Sequence, residues 1–132
     1  MAGVTRVVLD TNVLVAAVYN PGSASRSIVE ACLNGELTAV LSPSLRREYE
    51  FILARAARGR PYLERIQRLV DSAEVVEPAQ TPRVVPDDPE DDKLVAAALA
   101  AGAALVSNDA HLLALAGRGE LEVVRPADVR AW

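Results

Sequence analysis

A short polar stretch that follows an apolar run is the first place where this sequence could do chemistry. Asp10, Thr11 and Asn12 come directly after the apolar residues 7–9. An unbroken apolar run rich in β-branched residues predicts a strand that is buried on both faces. In open α/β sheets, ligands bind at the carboxyl ends of the strands, where these polar residues would lie. Asp10 is therefore a candidate site carboxylate, although capping of the next helix explains the same residue equally well.

A second polar stretch repeats this arrangement later in the chain. Ser107, Asn108 and Asp109 follow the apolar residues 103–106. Because right-handed crossovers bring the carboxyl ends of parallel strands to one edge, we expect Asp10 and Asp109 to meet there. Two strand ends that each deliver an aspartate are harder to explain by capping alone.

A predicted helix after Ser42 and Pro43 offers a third carboxylate. Its apolar stripe is predicted to consist of Leu45, Tyr49, Ile52 and Ala56. Glu48 borders this stripe and should face the sheet edge, because the stripe faces the sheet. Glu50 is turned by about 200° relative to Glu48 and should face away from the sheet.

Two adjacent aspartates open a later predicted helix. Asp91 shares a line with Val95 and Ala98, whose small side chains suit close packing against the sheet. Asp92 is turned from that line by about 100° and should lie nearer solvent. We therefore predict that Asp91 reaches the site, and a contribution from Asp92 or Asp88 stays open.

Four carboxylates at one edge need a counter-charge. Two unit charges about 4 Å apart repel by roughly 4 kcal/mol at an effective dielectric constant of ~20, so protons or cations must neutralise such a site. The chain has one cysteine, Cys32, and one histidine, His111. These are most simply a core residue and a surface loop residue. Ligands that are all oxygen select Mg²⁺ or Mn²⁺ over zinc, and such ions activate water for phosphodiester hydrolysis.

The elements that must position these residues alternate along the chain. Strands are predicted at residues 7–9, 37–41, 75–76, 103–106 and 121–124, and helices at 13–18, from the cap Ser23 or Ser25 to about 34, from 43 to about 57, at 62–72, 89–102 and 126–132. This alternation predicts an α/β fold, a three-layer α/β/α sandwich around a central parallel sheet of about five strands. The 132 residues suit a single domain over residues 1–132, because no repeat or linker divides them.

Charge is unevenly distributed along the chain. The net charge of −4 argues against a general nucleic-acid binder, but seven of the thirteen arginines fall within residues 46–68. Five acidic residues crowd into residues 87–92. A basic region near an acidic one suits a site that holds cations and receives a polyanion. With a single cysteine and no apolar run of membrane-spanning length, we expect a soluble cytoplasmic protein. The arginines proposed to contact the polyanion are Arg46, Arg47, Arg55, Arg58 and Arg60.

These residues together resemble a known family. Asp10-Thr11-Asn12 after a strand, Ser42-x-x-Leu45-x-x-Glu48, and Asp91 eighteen residues before Asp109 are similar to the motifs of PIN-domain proteins. Within that superfamily, the chain most resembles the VapC-type ribonucleases of bacterial toxin–antitoxin systems. The resemblance covers essentially the whole chain, and the four acidic blocks occur in the family's order.

The resemblance implies a Rossmann-like sandwich and an endoribonuclease that needs Mg²⁺ or Mn²⁺ and cleaves single-stranded RNA. It also implies a cognate antitoxin and a homodimer. Asn108 departs from the small or basic residue often found at its position, which affects substrate positioning rather than the chemistry. The family's acidic quartet, which binds metal and catalyses, carries over to Asp10, Glu48, Asp91 and Asp109. Its supporting polar residues match Asn12, Thr11 and Ser107, the last where threonine is commoner.

Other enzyme classes fit less well. A haloacid-dehalogenase-type phosphatase needs a second aspartate at position 12, which is Asn12, and a dinucleotide-binding domain needs a glycine-rich turn after its first strand. A phosphoacceptor signalling domain needs a lysine near its last strand, and the only lysine is Lys93. Two alternatives stay open: a housekeeping RNA-processing PIN nuclease, and a PIN scaffold that mainly binds RNA or protein.

Overall fold

Five strands form the centre of the molecule in this computed structural model. The structure describes residues 5–78, 91–117 and 119–131, with the side chains of all of these except residues 91, 130 and 131. The strands are β1 (Thr5–Leu9), β2 (Leu37–Leu41), β3 (Glu74–Val75), β4 (Ala104–Val106) and β5 (Val123–Val124). The helices are α1 (Thr11–Tyr19), α2 (Ala24–Leu33), α3 (Pro43–Ala56), α4 (Leu63–Ser72), α5 (Asp91–Ala101) and α6 (Ala110–Leu113), followed by a 3₁₀ helix (Pro126–Ala131).

The sheet is parallel throughout, and its strand order is β3-β2-β1-β4-β5. The chain builds outward from β1 to β2 and β3 on one side, and then returns to place β4 and β5 on the other side. The order therefore reverses between β1 and β4, and the crevice outside the carboxyl ends of two such strands is where open α/β sheets bind ligands. The predicted α/β/α sandwich with a five-stranded parallel sheet is confirmed.

Local signals in the sequence set the helix starts. The Ser42 hydroxyl accepts a hydrogen bond from the Leu45 N–H at 3.1 Å, and Pro43 occupies the first turn, where its missing N–H costs nothing. Ser23 rather than Ser25 caps α2, since its hydroxyl accepts from the Arg26 N–H at 3.1 Å. These caps fix where α2 and α3 begin.

The core consists of aliphatic side chains on both faces of the sheet. Val7 and Val8 of β1 are fully buried, as the unbroken apolar run predicted. α5 packs against β1, β2 and β4, and its run of Ala96, Ala97 and Ala98 is buried. Cys32 is half-buried and packs against this core, as the sequence suggested, and burial raises the pKa of its thiol to about 12, which disfavours a reactive thiolate.

The buried face of α3 differs from the predicted stripe. Leu45 and Tyr49 are buried as expected, but Leu53 and Ala57 take the places predicted for Ile52 and Ala56, which are only half-buried. The buried positions follow one row at a spacing of four residues. Such rows form the ridges by which helices pack, and they wind slowly around the helix axis.

Other differences concern short elements. α6 was not predicted, because a helix of four residues is too short to show a periodic pattern. β3 lies one residue earlier than expected, and the chain ends in a 3₁₀ rather than an α-helix. The predicted start of α5 at Pro89 lies outside the described residues, as does most of the acidic stretch at residues 87–92. No helix in residues 5–78, 91–117 or 119–131 is both long enough and apolar enough to cross a membrane.

Candidate active site

Asp10 sits at the carboxyl end of the central strand. Its backbone N–H donates to the Val106 carbonyl at 3.0 Å, which extends the pairing of β1 and β4 by one residue. Its Oδ1 accepts from the Asn12 N–H at 3.2 Å, and its Oδ2 accepts from the Ser107 hydroxyl at 2.6 Å. Only 6% of Asp10 is exposed. Asp10 therefore caps α1, and it also presents a buried carboxylate at the sheet edge, so its capping role is compatible with the predicted site role.

Ser107 connects the two aspartate blocks. It is fully buried, and its N–H donates to the Val124 carbonyl at 2.9 Å, which fixes the end of β4 against β5. While its hydroxyl donates to Asp10, the same oxygen accepts from the Asp109 N–H at 2.9 Å. One side chain thus links the polar residues that follow β1 and β4.

Asp109 also has two roles. Its Oδ1 accepts from the backbone N–H groups of His111 at 2.7 Å and Leu112 at 3.3 Å, so it caps α6. Its side chain is 34% exposed, and Oδ2 makes no hydrogen bond within the part of the chain that the structure describes. His111 is exposed, as predicted, although it lies on α6 rather than in a loop.

Glu48 faces the site from α3. The Thr11 hydroxyl donates to its Oε2 at 2.9 Å, and its side chain is 16% exposed. Glu50 is exposed and forms an ion pair with Arg46. The helical phase of these two glutamates was therefore predicted correctly.

Two neighbours of the site, Lys93 and Tyr49, were not predicted from the sequence. The Lys93 ammonium lies 3.8 Å from Oε1 of Glu48, so it offsets the charge of that carboxylate. The Tyr49 hydroxyl is buried and donates to the Leu9 carbonyl, immediately before Asp10. Burial raises the pKa of Tyr49 well above its usual range, and the negative charges of Asp10 and Glu48 raise it further. Tyr49 is thus a neutral hydrogen-bond donor close to both carboxylates. Its place in the apolar stripe had predicted only a core residue.

The start of α5 lies at the same edge of the sheet. α5 leads directly into the amino end of β4, so its own amino end lies beside the strands' carboxyl ends. Asp92 is only 3% exposed, and the prediction that it lies nearer solvent is wrong. This side of the first turn of α5 therefore faces protein rather than solvent. The side chain of Asp91 lies outside the described part of the chain.

The two remaining supporting residues, Thr11 and Asn12, differ in exposure. Thr11 is buried, and its hydroxyl belongs to the site through Glu48. Asn12 is exposed, and only its backbone N–H contacts Asp10.

The donor chemistry of this edge suits a hard cation. Its side chains offer carboxylate and hydroxyl oxygens, which are the ligands that Mg²⁺ and Mn²⁺ prefer. Among the residues the structure describes, no three histidine, cysteine or acidic side chains lie close enough together to hold a metal ion. The described residues supply part of the predicted acidic set, and the side chain of Asp91 is not among them.

Where the structure describes the chain, one of the five arginines predicted to contact a polyanion is paired with carboxylates, and the other four are not. Arg46 contacts Glu50 and Asp71, so its charge is largely offset. The other four predicted arginines are exposed and form no ion pair within the described residues. These four are Arg47, Arg55, Arg58 and Arg60.

Comparisons with known proteins agree with this geometry. VapBC2 from Rickettsia felis, crystallised bound to a DNA fragment from its promoter, matches with a TM-score of 0.64 and 13% identity, over 92% of this chain and 98% of that one. PAE2754 from Pyrobaculum aerophilum matches with a TM-score of 0.57 and 17% identity, over 98% and 96% of the two chains. No curated protein sequence matches. The sequence model of the PIN-domain family matches residues 6–111, and PIN domains are generally nucleases. This chain therefore belongs to the PIN-domain family, as the resemblance predicted.

Proposed function

We propose that this PIN domain is an endoribonuclease that hydrolyses phosphodiester bonds of single-stranded RNA with the help of Mg²⁺ or Mn²⁺. The observation that carries the proposal is the buried Asp10 carboxylate, which Ser107 links to the Asp109 backbone at the point where the strand order reverses. A buried carboxylate is costly unless hydrogen bonds and an opposite charge compensate for the lost hydration, and a bound cation would supply that charge here.

The metal ligands in this proposal are Asp10, Asp109, Glu48 and the carboxylate that begins α5. The resemblance selects Asp91 for that last position; its neighbour Asp92 is buried but does not complete a group of three close carboxylates among the described residues. A divalent cation bound there supplies a water with a lowered pKa and stabilises the charge that develops on the phosphate.

The chain's own residues hold this site in shape. The Ser107 hydroxyl fixes one oxygen of Asp10, and the Thr11 hydroxyl fixes one oxygen of Glu48. The Tyr49 hydroxyl holds the end of β1, so the Asp10 backbone has little freedom to turn. α1, α3 and α5 all begin at this edge, and the positive ends of their dipoles favour an anionic phosphate. By family resemblance, the products carry 5′-phosphate and 3′-hydroxyl ends.

The test is the Asp10→Asn variant, because asparagine keeps the size of the side chain and removes its charge. We expect the variant to fold, as judged by circular dichroism and urea unfolding, and to lose cleavage of a fluorescent single-stranded oligoribonucleotide. Wild-type protein should lose cleavage in excess EDTA and regain it when Mn²⁺ is added back. Undiminished cleavage by purified Asp10→Asn, or by wild type in EDTA, would defeat the proposal.

We further propose that the nuclease is the toxin of a toxin–antitoxin pair, acts as a homodimer in the cytoplasm, and is held by a cognate antitoxin. The resemblance to VapC-type ribonucleases supports this, together with the likeness of fold to VapBC2. A small antitoxin gene next to the coding gene, whose product restores growth to cells expressing this chain, is the expected result. A protein that cleaves RNA without harming growth would instead be a housekeeping nuclease, and one that binds RNA without metal-dependent cleavage would be a scaffold.

A further inference from the structure

Two exposed aromatic rings lie on α1 and α3, the helices that both begin at the acidic edge, and an arginine lies over each ring. Phe51 of α3 is 58% exposed, and the Arg55 guanidinium carbon lies 4.5 Å from its ring centre. Tyr19, at the end of α1, is 43% exposed, with the Arg60 guanidinium carbon 4.2 Å from its ring centre. We call these four residues the stacking strip.

Exposed rings are notable in this chain because aromatic residues make up only 4% of it. Tyr49 is buried in the core, and Tyr62 is half-buried with its hydroxyl on Glu30. An arginine also covers Tyr62, but that arginine, Arg26, is tied to the carbonyls of α1 and serves packing. The rings of Phe51 and Tyr19 are the described aromatic rings that the core does not use.

The strip leads away from the proposed catalytic residues. Glu48, Phe51 and Arg55 occupy positions i, i+3 and i+7 of α3 and therefore share one face of that helix. Phe51 lies about 4.5 Å further along the helix axis than Glu48, at a rise of about 1.5 Å per residue. The first aromatic ring is thus one helical turn from a site carboxylate.

The second ring follows on the same side of the molecule, because α1 and α3 run side by side. Thr11 contacts Glu48 and the Tyr19 hydroxyl donates to the Ala56 carbonyl, and both contacts join residues 37 apart in sequence. Tyr19 is therefore about 12 Å from the Thr11–Glu48 contact, at about 1.5 Å per helical residue. This distance corresponds to three or four stacked nucleotides at about 3.4 Å each.

The charges beside the two exposed rings indicate what kind of ligand binds there. Arg46 and Arg65 on the neighbouring surfaces are paired with carboxylates, whereas Arg55 and Arg60 form no ion pair in residues 5–78, 91–117 and 119–131. A surface that alternates exposed rings with unneutralised cations suits a chain of phosphates carrying accessible bases.

We propose that the stacking strip binds unpaired bases of the RNA strand on one side of the cleaved bond, with Phe51 and Tyr19 stacking on bases and Arg55 and Arg60 contacting phosphates. This inference rests on the proposed ribonuclease function and gives a physical reason for its preference for single strands, since bases within a duplex cannot reach a protein ring. Aromatic side chains and arginine planes are the surfaces on which proteins stack unpaired bases.

The test measures binding in the non-cleaving Asp10→Asn background, by fluorescence anisotropy of a labelled single-stranded oligoribonucleotide at several salt concentrations. Phe51→Leu and Tyr19→Leu should each weaken binding by about tenfold, because a stacked base contributes on that order. The salt dependence should not change, since no charge is removed. Phe51→Trp should tighten binding, and Arg55→Gln should reduce the salt slope by about 0.7.

Two controls separate stacking from a general surface effect. Leu99→Ala changes an apolar residue on α5 that is 42% exposed and lies outside the strip, so it should leave binding unchanged. An oligomer of the same length without bases should bind the Phe51→Leu protein and its parent equally well.

The inference is overturned if the leucine variants bind the oligoribonucleotide as tightly as their parent, or lose the same affinity for the oligomer without bases. Leucine variants that alter only self-association, measured by light scattering, would assign the strip to a protein contact and also overturn it. Failure of the proposed ribonuclease function would give a different result, because the wild-type protein would then cleave no RNA. If the wild-type protein cleaves RNA and the leucine variants bind it normally, the stacking strip is refuted while the proposed nuclease function stands.

Discussion

Replacing Ser107 by alanine should loosen the site and destabilise the protein at the same time. The side chain is fully buried, and alanine fits in its place without a clash. The variant loses the hydrogen bond to the Asp10 carboxylate, and it leaves the Asp109 N–H without its acceptor. A hydrogen bond to a charged group contributes about 1.5–3 kcal/mol, and a neutral one about 0.5–1.5 kcal/mol.

The two losses overlap because one oxygen makes both bonds, so we expect the free energy of unfolding to fall by about 2–3 kcal/mol. For a chain of 132 residues this corresponds to a fall in Tm of roughly 6–12 °C. The measurement is urea unfolding followed by circular dichroism at pH 7. The dependence of the unfolding free energy on urea concentration should not change. RNA cleavage should fall as well, because Asp10 loses the contact that orients it.

Ser27→Ala is the matched control for this change. Ser27 is exposed on α2, and its hydroxyl reaches the Ser23 carbonyl only at 3.4 Å. Its replacement should change stability by less than about 0.5 kcal/mol. A Ser107→Ala variant as stable as Ser27→Ala would refute the reasoning. Additive effects of Ser107→Ala and Asp10→Asn, within about 0.5 kcal/mol, would show that the two side chains are not coupled.

Three further predictions concern the rest of the molecule. Arg65, followed by Tyr62, lowers the pKa of Glu30 below 4.5, so this ion pair stabilises the fold above that pH and is lost as the pH falls through the lowered pKa. Wild type should therefore lose its stability advantage over Glu30→Gln as the pH is lowered below the usual pKa of a glutamate, and a difference in urea midpoint that stays constant with pH would contradict this. Asp91→Asn and Asp92→Asn decide the carboxylate of α5: loss of a metal ligand should abolish most cleavage and Mn²⁺ binding by calorimetry, whereas an outer carboxylate costs about 10–100-fold. If Asp92→Asn is the inactive protein, the register taken from the resemblance is wrong by one residue. Joint replacement of three exposed arginines by alanine should weaken RNA binding and flatten its salt dependence, and an unchanged slope would remove them from the RNA path; they are Arg55, Arg58 and Arg60.

The parts of the fold that could be predicted are those that a local pattern determines. The apolar run before Asp10 and the Ser42-Pro43 start of α3 each carry their own signal, and the structure has both where they were expected. Two aspartates after two strands also sufficed to place Asp10 and Asp109 at one edge. The phase of Glu48 against Glu50 followed from helical geometry alone.

What could not be predicted depends on neighbours that are distant in sequence. Asp92 was expected near solvent because helical periodicity describes a helix in isolation, whereas its burial depends on what lies at the sheet edge. The contact of Lys93 with Glu48 joins α5 to α3, and no spacing in the sequence encodes it. The stripe of α3 shifted to Leu53 because the packing direction of a helix is set by its partner.

The bond between Ser107 and Asp10 joins residues 97 apart in sequence, and it has a consequence for synthesis. β1 is made first, yet its place at the centre of the sheet is completed only when β4 pairs with it. A nascent chain that ends before residue 109 lacks the last of the four predicted carboxylates, and one that ends before residue 91 lacks two of them. We therefore expect the proposed nuclease to stay inactive during most of its own synthesis, until β4 has been made and has paired with β1.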